Sequence, residues 1–366
     1  MKKGRTIEEL ASELVAIQDS KIDLSVPTSR LHMSEKGLIA VTGNDVPERI
    51  EGTHFNLTSW AHSQVSQYTN IPKGYYDRIL GENPGLLAAS VNHGLQMAIN
   101  LAVTKRKEES RMLRTVNGRI RGFLSSRYRR LDCADLLEAV LPVLNQHQFN
   151  VVSCELTERR MYLKVTTDRI QGEVKKGMVV QYGLVISSSD VGCGSVRVEP
   201  LMYECICDNG QICDTALRKF HIGKDQASDN IHELLSDKTK EMADEVFWRS
   251  VHDVVISSIE EVNFERELNK LREAAEVPIK NMNLEKVVDL TMKEVGISGE
   301  NKKHNILEYL ANGAQGRGLN KWGLANSFTW AAQAEDVDYE ECTELERAGG
   351  KIILLPQNKW DLVAGK

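Results

Sequence analysis

Residues 105–130 hold ten Lys or Arg against two Glu, a local net charge of +8 in a chain whose total is −6. The cations Lys105, Lys107, Arg111, Arg114, Arg119, Arg121, Arg127, Arg129 and Arg130 dominate it, and Tyr128 sits among the last three. Arginine outnumbers lysine here, and a guanidinium presents a planar fork that matches phosphate oxygens two at a time. An aromatic ring beside such cations offers a face on which a base can stack. These ten residues are the candidate nucleic-acid-binding set. Phe123 is either a second stacking ring or a core residue. The competing reading is an ordinary solvated strand face, common on antiparallel sheets.

Asn117-Gly118 predicts a two-residue hairpin turn between strands at 111–116 and 119–124. Strict alternation then puts Arg119 and Arg121 on one face and Ile120 and Gly122 on the other. Like charges on one strand face cost stability unless something anionic lies opposite. A third strand is expected at 98–106. Asp132 can cap a helix over 133–145, where Leu136, Leu137, Val140, Leu141 and Leu144 form an apolar stripe.

Other chemistry finds less support. Cys193, Cys205, Cys207 and Cys213 with His221 are the one grouping that suggests zinc, but the C-x2-C knuckle is missing, so buried apolar cysteines are expected and no metal. The histidines show no H-E-x-x-H and no nucleophile partners, so no catalytic set is assigned. Gly192-x-Gly194 stands without G-x-x-x-x-G-K-[ST] and does not make a phosphate loop. Glu155, Glu158, Asp168 and Glu199 lie near predicted strands and would have to converge to hold Mg²⁺ for a nuclease. No cofactor is expected.

The elements around the basic stretch define the fold class. Helical spacing is clear at 5–18 and 57–69, with Thr58 as a cap. Ile71-Pro72 ends the second helix, and further helices are expected at 74–80 and 84–96. Antiparallel strands are expected at 151–156, 160–166, 178–188 and 195–203, with a turn-like segment at 168–177. Residues 225–300 carry eighteen acids and nine bases, a net of −9, and are mainly helical. Helices at 285–296, 302–312 and 320–334 follow, with Trp322, Leu324, Phe328 and Trp330 as helix core. A short strand at 352–355 should come after a Gly349-Gly350 turn. The expected class is α+β: an antiparallel sheet with flanking helices in the N-terminal two thirds, then a mainly helical region. The expected division is a helix and irregular segment over 1–50, an α+β core over 51–224, and an acidic helical region over 225–366 packed on that core.

Hydrophobic content of 41% and charged content of 27% are those of an ordinary globular protein. No eighteen-residue apolar run predicts a membrane span, and the N-terminus lacks a signal-peptide core. Seven cysteines without scaffold spacing fit reduced thiols in a cytoplasm, here that of a bacterial host.

Several pieces in order resemble the phage- and plasmid-borne family called domain of unknown function 932. They are Ile71-Pro72-x-x-Tyr75, the basic segment ending SSRYRRLD (125–132), the strand pair over 178–203, Cys207-Asp208-Asn209-Gly210 with RKFHIG (218–223), and 320–329 running toward ERAGG (346–350). Family members more often have Asp where this chain has Ser126. The resemblance implies mobile-element biology and no particular activity. The resulting expectation is a non-enzymatic protein that binds nucleic acid, single-stranded DNA above all, in replication or recombination. The alternatives are an interaction protein acting on a host factor, and a metal-dependent enzyme on nucleic acid. Homo-oligomers are expected as an option, and a membrane is not. An aromatic content of 6% limits any scheme built on extensive stacking.

Overall fold

Two antiparallel-rich sheets, each with its own helical cover, organise the chain. The structure is a computed structural model that describes residues 2–35, 38–41, 54–104, 109–204, 209–213, 218–220, 237–281 and 283–365. The class is α+β as expected, with helices concentrated in the C-terminal region.

The first sheet contains β1 (Lys21–Pro27), β2 (Leu31–Met33), β3 (Leu38–Val41), β4 (His54–Leu57), β5 (Ser110–Val116) and β6 (Arg119–Ser125), in the order β1-β5-β6-β4-β3-β2. Among the described residues only the β4–β6 pairing of this sheet is parallel. Helices α2 (Ser59–Tyr68), α3 (Lys73–Glu82) and α4 (Pro84–Thr104) cover it. Leu24, Val26, Phe55, Leu57, Val65, Tyr76, Leu87, Val91, Leu113, Ile120 and Phe123 share its core. Thr58 caps α2 by accepting the Ala61 N–H.

Leu10 and Leu14 of α1 (Ile7–Ser20) belong to a second, larger core. There α5 (Cys133–Gln146) buries Leu136, Leu137, Val140 and Leu144 on the expected stripe. The second sheet runs β11-β10-β9-β8-β7, with β12 also pairing β10. Its strands are β7 (Asn150–Leu156), β8 (Met161–Lys175), β9 (Met178–Ser188), β10 (Val196–Glu204), β11 (Asn209–Ile212) and β12 (Arg218–Phe220). Then come α6 (Asp237–Ser258), α7 (Glu261–Ala275), α8 (Leu284–Val295), α9 (Glu300–Ala311), α10 (Lys321–Ala331), α11 (Tyr339–Ile353) and α12 (Gln357–Ala364). Val251, Phe264, Leu268, Trp322, Phe328 and Leu345 from these helices join the β-strand residues in one core. The composition boundary near 225 lies outside the described residues.

Four expectations are corrected. In place of the strand expected at 98–106, residues 98–104 are helical, because α4 continues to Thr104; 105 and 106 lie outside the described residues. By length and composition this helix could cross a bilayer, yet Leu87, Ala88, Val91 and Leu95 are buried in the first core. The segment 168–177 is not a long turn, because β8 pairs with β9 out to Lys175↔Met178. The helix expected over 320–334 ends at Ala331. Gly349-Gly350 is no turn and 352–355 no strand, because both glycines lie inside α11. A Cβ on Gly349 would sit 2.8 Å from the Thr329 side chain and 3.2 Å from the Ala325 carbonyl oxygen. Glycine is there for close passage of α11 over α10 rather than for a bend.

Candidate nucleic-acid interface

The basic hairpin forms as the turn chemistry requires. Asn117 and Gly118 both take positive φ, 49° and 72°, and Val116 pairs with Arg119. A bulge interrupts the ladder: Arg114 pairs with Gly122, but Thr115 pairs with Ile120, which leaves Arg121 as the extra residue. A bulge re-aims the side chains around it. The expected face shared by Arg119 and Arg121 is therefore corrected. Arg119 is exposed, whereas Arg121 points its Nη2 at Asp190 Oδ1, 2.6 Å away.

Arg114 is the most enclosed of the set, at 4% exposure. Asp23, its partner across β1, receives Nε–H at 3.0 Å and Nη2–H at 3.1 Å. Asp132 Oδ1 accepts from Nη2 at 2.5 Å, and the Asp190 carbonyl accepts from Nη1 at 2.8 Å. Burial works against the guanidinium charge, but Asp132, Asp23 and Asp190 outweigh it and raise the pKa. Burial likewise disfavours the Asp132 carboxylate, yet Arg114 and Lys21 prevail and pull its pKa down. Asp132 also caps α5 in a capping box with Asp135. This knot, with every Arg114 nitrogen engaged, has no room for a phosphate.

Arg111 lies over two rings, 4.3 Å from the Tyr68 centroid and 4.9 Å from that of Phe123. Its Nη2 donates to the Phe123 carbonyl at 3.3 Å, and burial lowers its pKa. Phe123 is thus core, not a stacking platform. Tyr128 donates its hydroxyl proton to the Ser189 carbonyl at 3.0 Å, and burial pushes its pKa upward. Arg129 is ion-paired with Asp244 on α6, and its guanidinium stands 5.1 Å from the Phe247 ring centroid. Arg119, Arg127 and Arg130 are exposed. Lys105 and Lys107 lie outside the described residues.

The eight described residues divide by depth: Arg111, Arg114, Arg121, Tyr128 and Arg129 are buried or half-buried, and Arg119, Arg127 and Arg130 are exposed. The carboxylates Asp23, Asp190 and Asp244 were not picked out from the sequence, and Asp132 only as a cap. The acid-rich composition after 225 was the one available hint, and it applies to Asp244 alone. The other pairings span 91 residues for Asp23–Arg114 and 69 for Arg121–Asp190, with no local signal.

The remaining candidates are dispersed. Cys193 is half-buried and Cys213 buried, while Cys205, Cys207 and His221 lie outside the described residues. Among the described residues no three His, Cys, Asp or Glu side chains converge to hold a metal. Glu155 pairs with Arg5, Glu199 with Arg347, and Asp168 accepts from Gln181. Glu158 accepts the Trp60 backbone N–H. Trp322, Leu324 and Phe328 are core, while Trp330 is half-buried and stacks on Tyr309 at 5.0 Å. No family model, curated protein or solved structure matches the chain.

Proposed function

We propose that the chain is a non-enzymatic nucleic-acid-binding protein that holds single strands, DNA above all, by their phosphates. The mobile-element setting implied by the family resemblance, with a part in replication or recombination, belongs to the same proposal. The observation that carries it is the solvent exposure of Arg119 and Arg130, with Arg127 also at the surface, on and just after the hairpin. Arg119 begins β6, and Arg127 and Arg130 follow its end. Six residue steps along that strand span about 20 Å, long enough for several nucleotides to lie across both ends. Contacts to phosphate position a strand without reading its bases. Lys105 and Lys107 add charge in the same stretch of sequence.

A titration of short single-stranded DNA across a salt series tests this. Log affinity should fall linearly with log salt, by about 0.7 per phosphate contact. A second reading, a partner protein such as a host factor, is favoured by exposed Met97, Leu101 and Val103 near the end of α4. Weak binding with a flat salt dependence would place that reading first. Magnesium-dependent cleavage would instead mark an enzyme.

A further inference from the structure

On the face of the second sheet toward α11, one cross-strand row reads Tyr162, Ser187, Arg197. Directly paired residues project to the same side, so these three side chains share a face. Glu199, two residues further along β10, shares it as well. Arg347 of α11 clamps Glu199 with Nε–Oε1 at 3.0 Å and Nη2–Oε2 at 2.7 Å. Arg160 enters from the residue before β8. Its Nη1 donates to the Cys193 carbonyl at 2.6 Å and its Nη2 to the Ser195 carbonyl at 3.0 Å.

That loop is the Gly192-Cys193-Gly194 segment. Gly194 has φ +130°, and a Cβ there would stand 2.5 Å from Arg160 Nη1. A larger residue would displace the guanidinium. Gly194 thus seats an arginine.

Charge does not balance here. Among the described side chains, Arg160, Arg197 and Arg347 supply three positive charges and Glu199 one negative, which leaves +2. The neighbouring Lys164–Glu346 pair is neutral in itself and contributes nothing to the excess. Arg197 is disfavoured as a cation first by burial and then by Arg347, with Arg160 adding to the crowding. Hydrogen-bonding capacity is also left over. Arg160 Nε, Arg197 Nε and Ser187 Oγ are buried and have no hydrogen-bond partner among the described residues. Unpaired buried donors and crowded like charges both cost free energy, and one dianionic oxyanion would satisfy both. Arg197 is only half-buried, so the site opens to solvent on that side.

We propose that Arg197, Arg160 and Ser187, with Arg347 as the fixed neighbour, form a binding site for a phosphate monoester dianion. Two sources present that chemistry: a small phosphorylated molecule, or the 5′-terminal phosphate of a nucleic-acid strand. The site does not depend on the exposed hairpin arginines.

Isothermal titration of the full chain with inorganic phosphate, at constant ionic strength set by chloride, tests it. One saturable site per chain is expected, and Arg197→Gln should weaken it at least tenfold, about 1.4 kcal/mol. Arg197→Lys keeps the charge but loses the fork, so it should retain part of the affinity. The triple variant Arg119→Gln/Arg127→Gln/Arg130→Gln should bind phosphate as the parent does. A 5′-phosphorylated oligonucleotide that outcompetes its 5′-hydroxyl counterpart at this site points to a strand end. Equal competition by the two points to a small phosphorylated molecule. The proposal is overturned if no saturable uptake occurs up to roughly 10 mM phosphate, or if folded Arg197→Gln and Arg197→Lys both bind like the parent.

Discussion

Arg114 Nη2 stands 2.5 Å from Asp132 Oδ1, and the same guanidinium grips Asp23 and the Asp190 carbonyl. One side chain therefore joins the first sheet, the start of α5 and the turn leaving β9. A residue whose type suggests phosphate binding is instead the bolt between the two halves of the fold.

Replacing Arg114 with Met should destabilise the protein by about 3–5 kcal/mol, because Asp23 and Asp132 would be left buried without their cation. Urea denaturation with parent and variant at pH 7 measures this. A loss below about 1 kcal/mol would mean that water or Lys21 replaces the guanidinium and that the knot is dispensable.

The exposed arginines should behave in the opposite way. Changing Arg119, Arg127 and Arg130 together to Gln should alter stability by no more than about 0.5 kcal/mol per site. If all three contact phosphates, the salt slope for single-stranded DNA should shrink by roughly 2. A folded triple variant that keeps the parent slope would remove the hairpin from the proposed interface. Arg129→Gln is the contrast: it breaks the contact with Asp244 on α6, so its first effect should be on unfolding.

His62 predicts a pH dependence. Its Nδ1 lies 2.7 Å from the Tyr76 hydroxyl, and the ring is held neutral, its pKa brought down to about 4 by burial and then by Lys73, against Asp77 and Glu158. The unfolded chain regains a value near 6.5. Between these values the unfolded state binds more protons, so stability must fall as pH drops from about 6.5 toward 4. Melting temperatures across that range should decline, and His62→Gln should flatten the decline. Asp132 acts lower: its carboxylate is depressed, so its contribution persists above about 3.9 and is lost only on further acidification.

Lys164 on β8 and Glu346 on α11 are both wholly buried, with Nζ 2.5 Å from Oε2. Nζ is also 4.9 Å from the Tyr339 ring centroid. Lys164→Met alone should cost about 3–5 kcal/mol, since it strands a buried carboxylate. Adding Glu346→Leu should recover much of that loss, because a hydrophobic pair pays no desolvation. Thermal melts of the two single variants and the double variant close the cycle. Additive losses would show that the two charges are independently solvated.

Local grammar made much of the fold legible. Asn117-Gly118 marks a turn because few other pairs accept positive φ twice, and it is that turn. Thr58 and Asp132 mark helix starts because a short polar side chain can take up a free N–H, and both do so. The stripe from Leu136 to Leu144 exposes its period directly. By contrast, Ile99, Leu101, Ala102 and Val103 around Asn100 make a short apolar-rich stretch that suits strand and helix alike, and only continuation of the packed α4 made it helical. Gly349-Gly350 reads locally as a turn, yet the crossing with α10 makes it the narrow point of a helix. The basic stretch was legible as charge, and the rotation of each charge was not. Whether an arginine meets water or a carboxylate depends on which strand, cap or turn arrives beside it. Asp23, Asp190 and Asp244 come from 91, 69 and 115 residues away from their partners, and only the folded chain brings them there. Electrostatic pairing acts over a few ångströms of space and is blind to distance along the chain, so types and turns are written locally and partners are not.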